Sequence, residues 1–346
     1  MHLSSKRATI KEVASAAGVS TQTVSRVINN RPDVSPATRK HVQQIIDQMD
    51  YQPSALARSL IQQCSFTLAV VTAGLKYIGP SRTLSGITKA AEEAGYSLLM
   101  KEILDFNANN IEPIFQKLIS RHVDGIIWAV PEVGDNRDWI KNSPLNPDFP
   151  IVYLAMEPRE ALSVVSAGNY EGARMAVGHL LEQGYQHIGH LSGPLDWWEG
   201  RQRKTGWQDR LKEEGREVKE THCADGNWSA ESGVAAIQKL LTQYPEMDAV
   251  FVGNDQMALS VLQQACQEGI KIPDDLGVVG FDNIPESAYF WPPLTTINQD
   301  HHRVGEIAVE EIIKIIENRR QEGPNLQFNP ITLPTSLVVR KSSVRN

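Results

Sequence analysis

The residues of this 346-residue chain best able to do chemistry sit where apolar runs end. Asn254 with Asp255, Asp282 with Asn283, and Gln299 with Asp300 each follow such a run. The stretch "DWWEGRQRKTGW" brings Trp197, Trp198, Arg201 and Arg203 to the opening of a helix, and Ala73 with Gly74, and Trp128, end two further runs. Flat aromatic rings cover the C–H face of a sugar, while carboxylate, amide and guanidinium groups take paired hydroxyls in a bidentate way, so the set matches saccharide recognition. Catalysis finds no support. GxxxxGK[ST], GxGxxG after a strand, HExxH and GxSxG are all missing from the sequence. Of nine histidines only His301 and His302 adjoin, and neighbours on a helix or strand diverge, so the pair is expected at the surface rather than on a metal. Cys64, Cys223 and Cys266 fit neither a disulfide framework nor metal-ligand spacing. No cofactor is expected.

Such groups need elements to hold them. "FTLAVVTAG", "YSLLMKEI", "VDGIIWAV", "PIVYLAM", "HIGHLSGP", "MDAVFVGND" and "LGVVGFDN" read as strands. Between them "RTLSGITKAAEEAG", "NIEPIFQKLISRH", "EGARMAVGHLLEQG", "AESGVAAIQKLLTQY" and "QMALSVLQQACQEG" read as amphipathic helices. Strand–helix alternation gives doubly wound parallel sheets whose ligands bind at the carboxyl ends of the strands. The region is too long for one sheet and predicts two similar lobes.

The N-terminal stretch "IKEVASAAGVSTQTVSRVIN" follows a different logic. Thr9 with Glu12 three residues on is a capping box, and Ile10, Val13, Ala14 and Ala17 share one helical face. Gly18 suits a sharp turn, Val19 plugs the angle, and Ser20 can cap a second helix that turns Val24, Val27 and Ile28 inward. Thr21, Gln22, Ser25, Arg26 and Asn29 are left outward, on a helix of nine residues. That face is poor for packing and good for base edges and phosphates, as in a helix-turn-helix. Ser35 as cap and Pro36 at the first position start a third helix carrying Val42, Ile45, Ile46 and Met49. Residues 1–62 hold eight Lys or Arg against four acids, a balance of +4 that leaves −11 for the rest of a chain whose net charge is −7. A basic head on an acidic body fits a protein that meets phosphate only at one end. The start "MHLSSKRATIKEV" lacks the apolar core of a signal peptide and no run approaches 18 apolar residues, so a cytoplasmic location is expected, at the nucleoid when DNA is bound.

"ATIKEVASAAGVSTQTVSRVINN" with "VSPATRKHVQQIIDQMDYQPSALARSL" resembles the head and hinge of the lactose repressor/galactose repressor (LacI/GalR) family of bacterial transcription regulators, and the likeness continues from residue 66 to about 341. The resemblance implies an N-terminal all-α helix-turn-helix head (1–52), a hinge helix or linker (53–64) and an α/β core of the periplasmic-binding-protein-like fold (65–341). The chain is then expected to cross between the two doubly wound lobes near Ala167, Thr295 and Asn329, giving an N-lobe of 65–167 with 296–329 and a C-lobe of 168–295 with 330–341. The DNA-binding set comprises Thr9, Ser20, Thr21, Gln22, Thr23, Ser25, Arg26, Asn29, Ser35, Thr38, Tyr51, Ser54, Ala57, Arg58 and Leu60. Leu60 occupies the family's minor-groove wedge, or else staples the hinge to the core. The effector set comprises Ala73, Tyr77, Trp128, Trp197, Arg203, Trp228, Asn254, Asp282 and Gln299. Asp282 and Asn254 have the alternative of capping a turn, and Trp228 that of filling the core.

Two departures bear on specificity. Where the family's lactose-binding pattern has an aspartate after the fourth strand this chain has Ala155, and its third strand ends in Trp128 and Ala129 rather than an asparagine. More stacking surface and fewer polar contacts point to a disaccharide or glycoside. The leading function is a repressor bound to pseudo-palindromic operator DNA as a homodimer and controlled by a mono- or disaccharide. A nucleobase or phosphosugar effector is the alternative. A sugar-transport protein and a sugar-metabolising enzyme are set aside by the DNA-binding head and by the missing phosphate and metal motifs. Tetramers are not expected, since only "KSSVRN" follows "LPTSLVV".

Overall fold

The computed structural model describes residues 8–28, 31–51, 64–104, 111–133, 149–322 and 328–345. The chain divides into two compact units, Met1–Phe66 and Thr67–Asn346.

The first unit contains α1 (Ile10–Ala17), α2 (Thr21–Ile28) and α3 (Pro36–Gln48). Thr9 Oγ1 accepts the Glu12 N–H at 3.3 Å and Glu12 Oε2 accepts the Thr9 N–H at 2.7 Å, so two otherwise unpaired donors at the start of α1 are satisfied reciprocally. Gly18 turns the chain at φ +64°, where a side chain would be strained. Ser20 Oγ accepts the Thr23 N–H at 3.0 Å and starts α2; Ser35 does the same for α3 through Thr38 at 3.2 Å. Val13, Val24 and Val42 meet with no exposed surface, joined by Ala14, Ala17, Val27 and Ile46. At about 1.5–3 kcal/mol for each buried valine, this small core is what holds three short helices that would not persist singly.

In the second unit β1 (Thr67–Ala73), β2 (Ser97–Ile103), β3 (Gly125–Ala129), β4 (Ile151–Leu154), β5 (Val164–Ala167) and β11 (Ile331–Leu333) make a parallel sheet of order β11-β5-β4-β3-β1-β2. A second sheet of order β12-β10-β9-β8-β6-β7 is built from β6 (Ile188–Ser192), β7 (Cys223–Asp225), β8 (Ala249–Val252), β9 (Gly277–Asp282), β10 (Thr295–Asn298) and β12 (Ser336–Val338). Only β12 there runs antiparallel, against β10. Helices cover both faces of each sheet. On the first, α4 (Ile78–Glu93) and α10 (His301–Glu322) bury one face and α5 (Glu112–Ile119) the other. On the second, α6 (Asn169–Glu182) and α7 (Trp198–Glu213) oppose α8 (Ala230–Gln243) and α9 (Asp255–Glu268). The near-continuous Val, Ile and Leu runs of the strands follow from this double covering.

The chain first leaves the first sheet after Ala167, the last residue of β5, and its other two passages between the lobes come later than near Thr295 and Asn329. Thr295–Asn298 still pairs with β9 in the second sheet, so the chain leaves that lobe at 299–300 rather than near Thr295. Ile331–Leu333 still pairs with β5 in the first sheet, so the return falls at 334–335 rather than near Asn329. The lobes are therefore 67–167 with 301–333, and 168–298 with 336–345. Nor does the core stop at 341. Ser342 and Ser343 are fully buried, with Ser342 Oγ accepting the Thr295 N–H at 2.8 Å and Ser343 Oγ donating to Thr295 Oγ1 at 2.7 Å.

The helix α10 was not foreseen, and its packing sets one wall of the site. It crosses α4 where Gly86 faces Gly305: a Cβ on Gly86 would run into the His302 carbonyl, and one on Gly305 into that of Thr83. This close approach lays the first residue of α10, His301, against Gly79. Among the described residues no helix is long and apolar enough to cross a membrane, and no cluster of three His, Cys, Asp or Glu side chains could hold a metal.

Candidate functional site

The two sheets aim the carboxyl ends of their strands at one cleft, as a doubly wound topology requires. It encloses roughly 1030 Å³, part of it open to solvent. The first lobe contributes Thr72, Tyr77, Ala129, Ala155 and Ser166; the second contributes Trp197, Trp198, Arg203, Trp228, Asn254 and Asp282; and Gln299 lies on the crossing between them. Three lining residues that are not glycine hold positive φ: Ala155 at +56°, Trp228 at +72° and Asp282 at +109°. Such backbone costs about 1–3 kcal/mol each and persists where the surroundings over-determine it, which marks these strand ends as a site held in shape.

The polar centre is Asp282 at the end of β9. Its Oδ1 accepts from Gln299 Nε2 at 2.6 Å and lies 3.7 Å from both Arg203 Nη1 and His301 Nε2. Burial works against its charge, but the nearby His301 imidazole, the Arg203 guanidinium and the Gln299 amide together outweigh burial and hold its carboxyl below the ordinary range. Its neighbour Asp255 goes the other way. Fully buried at the start of α9, and accepting from Thr296 Oγ1 at 2.6 Å and the Ile284 N–H at 2.9 Å, Asp255 is pushed up to about 8, first by burial and then by the charge of Asp282. The charge of the carboxylate that faces the cleft is thus favoured, while burial and that charge together disfavour the charge of the one behind it. Arg203 is committed inside the protein: Nε donates to Asn169 Oδ1 at 2.8 Å, Nη1 donates to the Gly253 carbonyl, and the guanidinium lies 3.8 Å from the Phe281 ring centroid.

Asn254 takes the capping alternative. Its Oδ1 accepts the Met257 N–H at 2.9 Å, and its Nδ2 donates to the Trp228 carbonyl at 2.9 Å, so it starts α9 and fixes Trp228 with the same amide. Trp228 fills both of its alternatives, packing into the core under Gly193 while lining the cleft. Tyr77 from the first lobe meets Trp197 from the second edge-on at 6.1 Å, and Trp197 meets Trp228 at the same distance.

Two expected residues do not line the cleft. Ala73 and Trp128 point to the α5 side of the first sheet, where Trp128 is 1% exposed and stacks on Phe115 at 5.0 Å. Side chains alternate along a strand, so Thr72 and Ala129 face the cleft instead. Two lining residues were missed. His301, expected at the surface, bridges to Asp282 from the other lobe. Glu199 sits in the first turn of α7 with burial raising its carboxyl above the ordinary value, and its Oε2 is buried with no hydrogen-bond partner among the described residues.

In the head, α2 exposes Thr21, Gln22 and Arg26 while Val24 and Val27 are buried. It spans eight residues rather than nine, and Asn29 lies outside the described residues, as do Ser54, Ala57, Arg58, Leu60 and almost the whole hinge. Ser35 and Thr38 share a hydroxyl hydrogen bond of 2.8 Å, and Tyr51 packs against the helical core. Arg39 donates to the carbonyls of Val27 and Arg31, tying α3 to the end of α2.

Comparison with known proteins agrees with this anatomy. Residues 9–54 match the bacterial regulatory proteins of the lacI family, and residues 177–343 match a periplasmic binding protein-like domain. The HTH-type transcriptional repressor PurR of Photobacterium profundum is 33% identical over 338 residues, covering 97% of this chain and 98% of that protein. The chain belongs to the lacI family of bacterial regulatory proteins. Its relatives are transcriptional repressors, not enzymes. Among solved members of the family, the lac repressor dimer bound to operator and the anti-inducer ONPF superposes with a TM-score of 0.85 at 29% identity, over 98% of this chain and 100% of that one. A transcriptional regulator CelR–cellobiose complex superposes with a TM-score of 0.72 at 30% identity, over 97% and 100%.

Proposed function

We propose that this chain is an operator-binding transcriptional repressor, acting as a cytoplasmic homodimer, whose DNA affinity is set by a small saccharide held between the lobes of its core. One observation carries the reading. Asp282 on the second lobe is met by His301 on the first, between aromatic walls from Tyr77, Trp197 and Trp228, so a polar centre for hydroxyls and flat surfaces for a sugar ring converge where the lobes join. A relative of the same fold is known in complex with cellobiose.

The switch follows from differential affinity. A ligand that bridges two lobes binds one lobe arrangement better than the other and shifts the population towards it, displacing one lobe against the partner subunit. Hinge residues 53–64 then lose or gain the contact with their twin that holds Leu60 in the minor groove. In the head, Thr21, Gln22 and Arg26 read base edges in the major groove, and the two-fold dimer matches a pseudo-palindromic operator. The test is a thermal-shift screen of neutral saccharides, sugar phosphates and nucleobases, followed by operator binding with each hit. The reading requires a saccharide that stabilises the protein and weakens operator binding. A nucleobase that tightens operator binding, with every sugar silent, replaces it with a corepressor.

A further inference from the structure

Two polar atoms of residues on the second lobe's wall of the cleft have no hydrogen-bond partner among the described residues: Glu199 Oε2 and Trp228 Nε1. Buried polar groups in folded proteins are nearly always bonded, so each of these needs an explanation. Mobility does not supply one for Trp228. Its backbone is held at φ +72° by the Asn254 amide, and the indole fills the space over Gly193, where even a Cβ would collide with it. The N–H cannot turn elsewhere. Glu199 stands close enough to feel Arg203, Arg201 and His301, yet burial dominates and its carboxyl stays above the ordinary value, as expected of a carboxylate that no cation has taken as a partner.

The surrounding charge says what these atoms are for. Among the described lining residues Arg203 is the sole Lys or Arg, and it already serves Asn169, the Gly253 carbonyl and Asp282. Glu199 and Asp282 stand against it. A phosphate or carboxylate entering here finds no uncommitted Lys or Arg among the described residues and meets instead an acceptor oxygen that none of them has taken as a partner. A hydroxyl group meets the reverse, since it donates to a carboxylate and accepts from an indole N–H. We infer that Glu199 and Trp228 form an open acceptor–donor pair that selects a neutral, hydroxyl-bearing ligand and rejects its phosphorylated counterpart. This deepens the saccharide reading above and rests on it.

The experiment uses the full chain, with Glu199→Gln and Trp228→Phe beside it. Isothermal titration calorimetry compares cellobiose, lactose, maltose, sucrose and glucose with glucose 6-phosphate and trehalose 6-phosphate, and urea unfolding confirms that each variant is folded. The tightest neutral sugar should bind Glu199→Gln about 10-fold or more weakly, the scale of one lost hydrogen bond to a charged group. Trp228→Phe removes the N–H together with part of the bicyclic ring that packs over Gly193, so weaker sugar binding is expected there too, read against the unfolding result for that variant. Sugar phosphates should bind the wild type more weakly than their neutral counterparts, and Glu199→Gln should narrow that gap. Equal binding of the neutral sugar by wild type and Glu199→Gln, or a wild type that prefers the phosphates, overturns the pair's role and leaves the saccharide reading standing. A protein that binds guanine or hypoxanthine and no sugar overturns both.

Discussion

Replacing Asp282 with Asn changes one atom and removes the charge on which the cleft converges. At 3.7 Å and an effective dielectric of about 20, the Arg203–Asp282 attraction is about 4–5 kcal/mol gross, much of it offset by the desolvation of both groups. Arg203 keeps Asn169, the Gly253 carbonyl and the Phe281 ring, so the variant should lose about 2–3 kcal/mol of stability, the low edge of what an orphaned buried charge costs. Ligand response should suffer separately. A carboxylate accepting sugar hydroxyls contributes about 1.5–3 kcal/mol, so the saccharide concentration needed to release DNA should rise about 10- to 150-fold. Anisotropy of a labelled operator, titrated with the sugar that best releases the wild type, reads the second effect, and urea unfolding reads the first. Operator affinity without sugar should stay within about 2-fold, because the operator-reading helix belongs to a separate compact unit. Asp282→Ala should lose the same response and more stability, since Gln299 Nε2 then lacks its acceptor. If Asp282→Asn unfolds more easily yet responds to sugar at the wild-type concentration, Asp282 serves Arg203 and not the ligand.

Arg26 is exposed and only loosely paired with Asp33 at 3.5 Å, so Arg26→Ala should lose about 1–3 kcal/mol of operator binding and relax one base pair in each half-site; an unchanged motif in a selection from random DNA rules that out. Arg39→Ala, by contrast, should lower the stability of the head as well as its DNA affinity, because it ties α3 to the end of α2. Tyr289 and Trp291 stand 88% and 90% exposed and Leu259 43%, so Trp291→Lys should push the dimer towards monomer in sedimentation, and an intact dimer would place the interface elsewhere. His190 has its pKa pushed from 6.5 to about 3, chiefly by burial, so it takes a proton only on unfolding, and the stability present above pH 6.5 is lost as pH falls towards 3. His190→Phe should therefore lose about 2 kcal/mol less than the wild type between pH 7 and pH 5 in urea titrations, and parallel profiles would refute the assignment.

The head was legible almost to the residue because its signals are local. Thr9 with Glu12, Gly18, Ser20 and Ser35 with Pro36 each act within one turn of helix, and each acts as the sequence suggested. The core was legible in outline only. The short strands β5, β7, β10, β11 and β12 carry three or four residues each, too few for a periodicity, and they are strands because a neighbour in the sheet completes their hydrogen bonds. The late crossings follow from the same cause: register with β9 and with β5, not composition, decides which lobe residues 295–298 and 331–333 join. α10 was hidden by its glycine, since Gly305 reads as a break in sequence and is required in space by the Thr83 carbonyl.

The site divides along the same line. Arg203, Asp282 and Gln299 line the cleft because strand ends in a doubly wound fold converge there, whatever lies between them. Ala73 and Trp128 also end strands, and they fail because pleating sends alternate residues to opposite faces; a one-residue difference in where the strand is taken to end reverses the prediction. Glu199 and His301 could not have been found that way. Glu199 is one of three acids on a polar helix, and His301 opens a helix the sequence did not reveal. Both matter through what surrounds them: a buried oxygen left without a donor, and an imidazole carried by one lobe to a carboxylate of the other. On the proposed reading, that second contact links binding to shape: a ligand that displaces or reinforces the Asp282–His301 contact would act at once on its own binding and on the junction between lobes, so recognition and the conformational response would draw on the same 3.7 Å gap.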